Sequence, residues 1–130
     1  MAASISNTLF DKLPPVRGRL AGEAPLAKYT WFRTGGPAEI LFRPKDEEDL
    51  QKFMVHCPID IPLTFIGVGS NMIIRDGGIK GIVIRLGKTF SGIDILDNFV
   101  TAKAGAMDVT VASAAQKKGL TGLEFLRGIP

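Results

Sequence analysis

The sequence predicts an α+β fold, with one β-α-β unit followed by antiparallel strands and a second helix. Three observations carry this. Residues 38–68 run through a strand pattern, an amphipathic helix pattern and a second strand pattern. Beyond them, short apolar runs alternate with turn residues such as Asp76-Gly77-Gly78 and Asp97-Asn98. Glycine is unevenly distributed: of 15 in 130 residues, seven fall from Gly67 to Gly92 and none from Ala38 to Ile66. That unevenness marks one stretch with demanding backbone geometry. The length suits a single domain, and a composition of 45% hydrophobic and 22% charged residues is globular.

Residues 1–27 show no clear period. Pro14-Pro15, Pro25, Gly18 and Gly22 make them a loop-rich arm, with a short helix near Thr8 to Leu13. The domain proper is placed at 28–130. Tyr29, Trp31 and Phe32 put three aromatics in four residues, read as an anchor on the core in preference to ligand stacking. Ala38 to Arg43 reads as a strand closed by Pro44. Asp46 is placed to cap a helix whose first turn holds Glu47, Glu48 and Asp49. Leu50, Phe53, Met54 and Cys57 give that helix one buried face, and Pro58 ends it. Leu63 to Val68, Met72 to Ile74 and Gly81 to Leu86 read as strands, and Ile93 to Leu96 with Phe99 to Ala104 as a hairpin. Asp108 is placed to cap a helix from Val109 to Lys118, with Gly119 just past its end, and Leu123 to Leu126 form a last helical turn.

Charge and composition narrow the function classes. A net charge of +3 without a basic run longer than Lys117-Lys118 gives little support for nucleic acid. The single Cys57 allows no internal disulfide and fits a reducing compartment. With one cysteine and one histidine, no metal site is expected. No apolar run reaches the ~18 residues of a membrane helix, and Met1 to Asn7 lack a secretory apolar segment, so no membrane partner and a cytoplasmic location are expected. His56 falls at a helix end, where it meets terminal carbonyls, and Cys57 continues the buried stripe.

The chemistry-bearing stretch is Phe65-Ile66-Gly67-Val68-Gly69-Ser70-Asn71. A strand delivers the chain into two glycines spaced by one residue, whose successive N–H groups can line an anion-binding concavity. Ser70 and Asn71 add side-chain donors. A Rossmann fingerprint is absent, because Met72 holds the third glycine's place, and a Gly-Lys-Ser/Thr phosphate loop is absent too. The residues fit a plain tight turn as well as a ligand loop. Gly78-Ile79-Lys80-Gly81 and Gly119-Leu120-Thr121-Gly122 match the GXXG of KH domains, but neither is expected between two full helices. Arg33 fits a phosphate or a carboxylate equally, and Glu124 with Arg127 reads as a helix pair.

Thr30-Trp31-Phe32-Arg33-Thr34-Gly35-Gly36-Pro37-Ala38, Gly67-Val68-Gly69-Ser70-Asn71, Arg75-Asp76-Gly77-Gly78, Gly105, Gly122-Leu123-Glu124-Phe125 and Gly128-Ile129-Pro130 recur in an order that strongly resembles the UDP-N-acetylenolpyruvoylglucosamine reductase family. The resemblance covers about residues 28–130. It implies the FAD-binding fold of the vanillyl-alcohol oxidase and p-cresol methylhydroxylase type, incomplete here at its C-terminal end. It implies FAD as cofactor, NADPH as co-substrate, a UDP-sugar enolpyruvyl ether as substrate, and a role in peptidoglycan synthesis. Gly67, Val68, Gly69, Ser70, Asn71 and Met72 match the family's pyrophosphate loop, and Gly128, Ile129 and Pro130 match the start of its second FAD-contacting segment. The family's catalytic serine, arginine and glutamate lie beyond the position of Pro130, so no catalytic residue is assigned. Arg33 and Thr34 match a motif read as structural support. Tyr29 and Trp31 depart from the family's usual residues there. The chain alone is therefore expected to lack reductase activity, to hold FAD weakly or not at all, and to be poorly soluble or self-associate. The alternative is a stand-alone nucleotide- or anion-binding module.

Overall fold

A computed structural model describes residues 8–130; the expectation for Met1 to Asn7 lies outside the described residues. Four strands form one sheet: β1 (Arg19–Pro25), β2 (Pro37–Arg43), β3 (Leu63–Ile66) and β4 (Ile79–Arg85), in the order β1-β2-β4-β3. β1 runs antiparallel to β2, whereas β2 and β3 both run parallel to β4. The helix α1 (Glu47–His56) connects β2 to β3. The expected strand-helix-strand succession is thus present, with β4 inserted between its two strands. β5 (Ile93–Leu96) and β6 (Phe99–Ala102) form a separate antiparallel hairpin, followed by the helix α2 (Asp108–Lys117) and a 3-10 turn at Glu124–Gly128.

The sheet is buried on both faces, and its central sequences show why. Ile40-Leu41-Phe42 and Ile82-Val83-Ile84 are unbroken apolar runs, the pattern of strands covered front and back. Ile40, Phe42, Ile82 and Ile84 meet Phe53 of α1 on one face, where the Phe42 and Phe53 rings lie 4.3 Å apart. Leu41 and Val83 pack on the other face with Ala24, Leu26, Ala38, Ile66 and Ile74. A register irregularity between Ala38 and Ile40 lets Ala38 join that second face.

α1 starts as its sequence dictates. The Asp46 carboxylate accepts the Asp49 N–H at 2.9 Å, and three acidic residues occupy the positive end of the helix. Asp49 is buried and does more than favour the dipole. It accepts the N–H groups of Arg17 (2.8 Å), Gly18 (2.8 Å) and Lys45 (2.9 Å), tying the segment before β1 to the helix start. Burial pushes its carboxyl upward, but the donors from Lys45, Arg17 and Gly18, with the Arg17 charge, outweigh this and hold it below the ordinary aspartate value.

Several expectations are corrected. The loop-rich stretch before residue 27 carries β1, an edge strand specified by pairing with β2 more than by its own residues. At its Gly22 a Cβ would lie 2.9 Å from the Phe10 ring, so any larger residue there would have to displace that side chain. Residues 8–10 are helical, and Leu9, Phe10 and Leu13 pack against the α1 face. Residues 72–74 form no strand; Met72 and Ile74 cover the second face of the sheet from an irregular segment. The strand after them is parallel and central, not antiparallel. Met54 is exposed, since α1 turns only Phe53 and Asp49 fully inward. Asp108 is the first residue of α2 and not its cap; Met107 takes the cap position without a side-chain hydrogen bond. Gly119 adopts φ +71° past the helix end, as a left-handed terminator should. Of the two GXXG matches, one runs into β4 and the other joins α2 to a 3-10 turn, so neither links two α-helices.

Candidate functional site

The candidate loop leaves the sheet at the carboxyl ends of two parallel strands. The Ile66 carbonyl still accepts the Leu86 N–H at 2.8 Å, so the ladder holds to the last residue of β3. Beyond it the backbone turns away under tight constraints. Gly69 has φ +71°, and a Cβ there would sit 2.0 Å from the Tyr29 carbonyl oxygen. Its own carbonyl accepts the Trp31 N–H at 3.0 Å. Only glycine meets both the dihedral and the approach. A Cβ on Gly67 would lie 2.9 Å from the Ala104 carbonyl oxygen, where the hairpin unit comes up to the sheet.

Tyr29 and Trp31 part company here. Tyr29 is partly buried against the core, with the Arg85 guanidinium carbon 4.7 Å from its ring centre. The Thr30 hydroxyl donates to the Thr34 carbonyl at 3.2 Å, within a turn where Arg33 takes φ +55°. That turn leaves Trp31 63% exposed and Phe32 58% exposed, so the anchor reading holds for Tyr29 alone.

These elements enclose a cleft of about 590 Å³, within the range of small-molecule and cofactor sites. All nine residues assigned from sequence line it: Gly67, Val68, Gly69, Ser70, Asn71, Met72, Gly128, Ile129 and Pro130. Although 55 residues lie between the two segments, the fold brings them to one space. Sequence reasoning missed Trp31, Phe65, Met107, Asp108 and Arg127, which also line it. Trp31 carried a signal, an aromatic out of the expected pattern, while Met107 and Arg127 are brought in by tertiary packing.

The lining divides by chemistry. Ser70, Asn71 and Arg127 supply donors, and none of the three spends them on a protein partner among the described residues. The first turn of α2 opens here with an uncapped start, which leaves backbone N–H groups available. Asp108 places one carboxylate at the same end. Trp31, Phe65, Met72, Met107 and Ile129 make apolar walls. Gly128 is notable because a Cβ there would meet no protein atom within 4 Å. No internal contact therefore explains a glycine at this point of the lining.

The other candidates fall elsewhere. His56 Nδ1 lies 2.8 Å from the Lys52 carbonyl, at the helix end as expected. Burial, and then the charge of Asp60, push the Cys57 thiol up, away from nucleophilic character. Glu124 accepts the Gly122 N–H at 2.8 Å and makes no ion pair with Arg127. Among the described residues no cluster of His, Cys, Asp or Glu could hold a metal, and no helix is long and apolar enough to cross a membrane.

Comparison with known proteins places this geometry. A family model for the FAD binding domain matches residues 38–130. The UDP-N-acetylenolpyruvoylglucosamine reductase of Parvibaculum lavamentivorans is 55% identical over 130 residues, which is 100% of this chain and 42% of that protein. The reductase of the same name from Azorhizobium caulinodans is 55% identical over 122 residues, covering 94% of this chain and 40% of that one. The crystal structure of the Thermus caldophilus UDP-N-acetylenolpyruvylglucosamine reductase superposes with a TM-score of 0.64 at 31% identity, over 89% of this chain and 39% of its own. The chain thus spans about two-fifths of the length of the relatives it matches.

Proposed function

The chain belongs to the FAD binding domain family and corresponds to the N-terminal part of UDP-N-acetylenolpyruvoylglucosamine reductases, and from that premise we propose that its cleft holds FAD for the reduction of a UDP-sugar enolpyruvyl ether. The observation that carries the proposal is the convergence of residues 67–72 and residues 128–130 on one cleft.

The residues present fit the cofactor. A dinucleotide needs donors at its pyrophosphate and flat apolar surface at its rings. The backbone of residues 67–71 with Ser70 and Asn71 would hold the pyrophosphate, and Arg127 adds a compensating charge. Trp31, Phe65, Met72 and Ile129 would exclude water from the ring systems. When bound, FAD supplies two-electron redox chemistry. The chain's own part is to bind, orient and dry the cofactor; none of its residues is assigned a proton-transfer role. NADPH as reductant, a place in peptidoglycan synthesis and so in cell shape and division, and a cytoplasmic location belong to the same proposal.

Titrating the chain with FAD, ADP and a UDP-sugar, followed by flavin fluorescence and calorimetry, tests this reading. FAD is expected to bind weakly, as an incomplete site allows, but ahead of the other two, with Ser70→Ala weakening it further, and no turnover of the enolpyruvyl UDP-sugar is expected from the chain alone. Preference for ADP or the UDP-sugar with no flavin binding would favour a stand-alone nucleotide module and overturn the proposal.

A further inference from the structure

A second cleft has Arg85 in its lining and shares no lining residue with the first. It measures about 430 Å³ and is lined by five cationic residues, Arg17, Arg19, Arg43, Lys45 and Arg85, with no carboxylate among them. We propose that this cleft binds a diphosphate-type anion, independently of the flavin reading.

Its construction argues for a site over a chance cluster of surface charges. The rim is held by the buried Asp49, whose carboxylate takes the N–H groups of Arg17, Gly18 and Lys45 and so fixes the backbone carrying two of the cations. Arg19 and Arg43 are direct cross-strand partners in the β1–β2 register. Like charges placed directly opposite destabilise a strand pair. Only Arg17 has acidic partners, Asp46 at 2.5 Å and Glu48 at 3.4 Å; the other four cations make no ion pair among the described residues. The Nε of Arg85 is buried without a hydrogen-bond partner, the one such side-chain atom among the described residues. A buried guanidinium nitrogen left unpaired is costly, and the Arg85 side chain that bears it reaches the lining of this cleft.

The chemistry of the lining selects the ligand. Arginine forks match the oxygen pairs of phosphoryl groups, and Arg19, Arg43 and Lys45, which make neither an ion pair nor a ring contact among the described residues, call for a multiply charged anion over a single carboxylate. Thr89 adds a hydroxyl donor, and Pro44 is the sole apolar side chain in the lining. The volume admits a diphosphate with part of an organic group.

The test is an amide-shift titration of the chain with inorganic pyrophosphate, ADP and sodium chloride at matched ionic strength. Saturable shifts at Gly18, Gly87 and Thr89, with a Kd below about 1 mM, are expected for pyrophosphate. Arg43→Gln should weaken it by about tenfold or more, while Arg75→Gln, outside both clefts, should leave it unchanged. Stronger binding of ADP than of pyrophosphate would identify a nucleotide source, and the reverse a free diphosphate. Shifts confined to residues 67–71, a response equal to that of chloride, or preferential binding of single-stranded RNA would each overturn the proposal. The wild-type titration reads out by position, so it decides the matter even if Arg43→Gln fails to fold. Loss of flavin binding with retained shifts at Gly87 and Thr89 would leave this inference standing while the flavin reading fell.

Discussion

The four-stranded sheet buries Phe42, Ile40, Leu41, Ile82 and Ile84 completely between two covered faces, whereas the β5–β6 hairpin and α2 bury only the small residues Val111, Ala112 and Ala115, of which Ala115 alone is as fully enclosed. Leu96 and Phe99 of the hairpin are 74% and 76% exposed. The two regions meet at the cleft, one wall each. One is braced by packing, and the other rests on backbone contacts around Gly105, whose N–H donates to the Phe90 carbonyl at 2.7 Å, and on an exposed Lys103–Glu47 ion pair. An exposed pair of this kind contributes little. The difference teaches that the cleft has a stiff wall carrying the glycine loop and a softer one carrying the α2 start.

Four measurements would break or sharpen that contrast. Phe42→Ala should cost about 3–5 kcal/mol in urea unfolding, since it removes a ring stacked on Phe53 in a sealed layer. A loss under about 1 kcal/mol would show that the stiff wall is not stiff. Gly69→Ala should cost about 1–3 kcal/mol, from the positive φ and the encounter with the Tyr29 carbonyl, and should abolish flavin fluorescence quenching. Asp49→Asn should remove about 1–3 kcal/mol, as an amide cannot accept at three N–H groups as a carboxylate does. Because the folded Asp49 carboxyl titrates below its ordinary value, its stabilisation is complete above the unfolded-chain value of about 3.9 and is lost as pH falls through the folded one. The acid limb of the stability curve should therefore flatten in Asp49→Asn, and an unchanged limb would contradict the role given to the clasp. Phe99→Ser should change stability by less than about 0.5 kcal/mol while reducing self-association by light scattering. A large stability loss there would mean that the soft wall has a core of its own.

What was legible in the sequence follows the range of the interactions involved. α1 was readable because Asp46, the acidic first turn and Phe53 act within a few residues of one another. The loop at residues 67–71 was readable because backbone demand shows locally as glycine. β1 was not, since Gly22, Pro25 and Glu23 at φ +48° make a poor strand by themselves and only β2 enforces it. The central place of β4 was hidden too, although Ile82-Val83-Ile84 carried the mark of a strand covered on both faces. Apolar character misled at residues 72–74, where Met72 and Ile74 bury side chains without joining a ladder. In the cleft, the segments named from sequence met as expected, while Trp31, Met107 and Arg127 depend on folds of the chain that no local pattern records.

The strand order β1-β2-β4-β3 also bears on how the chain is made. During vectorial synthesis β2 and β3 emerge before β4, the strand that both must flank. β1 and β2 can pair as soon as residue 43 is out, and α1 can settle on Phe42. Yet the inner edges of β2 and β3 keep their backbone groups unpaired until residue 85 has left the ribosome. At ordinary elongation rates that interval is on the order of seconds. Two unpaired edges bearing Ile40, Phe42 and Ile66 are then open to wrong pairing, and closing the sheet depends on the timely arrival of its central strand.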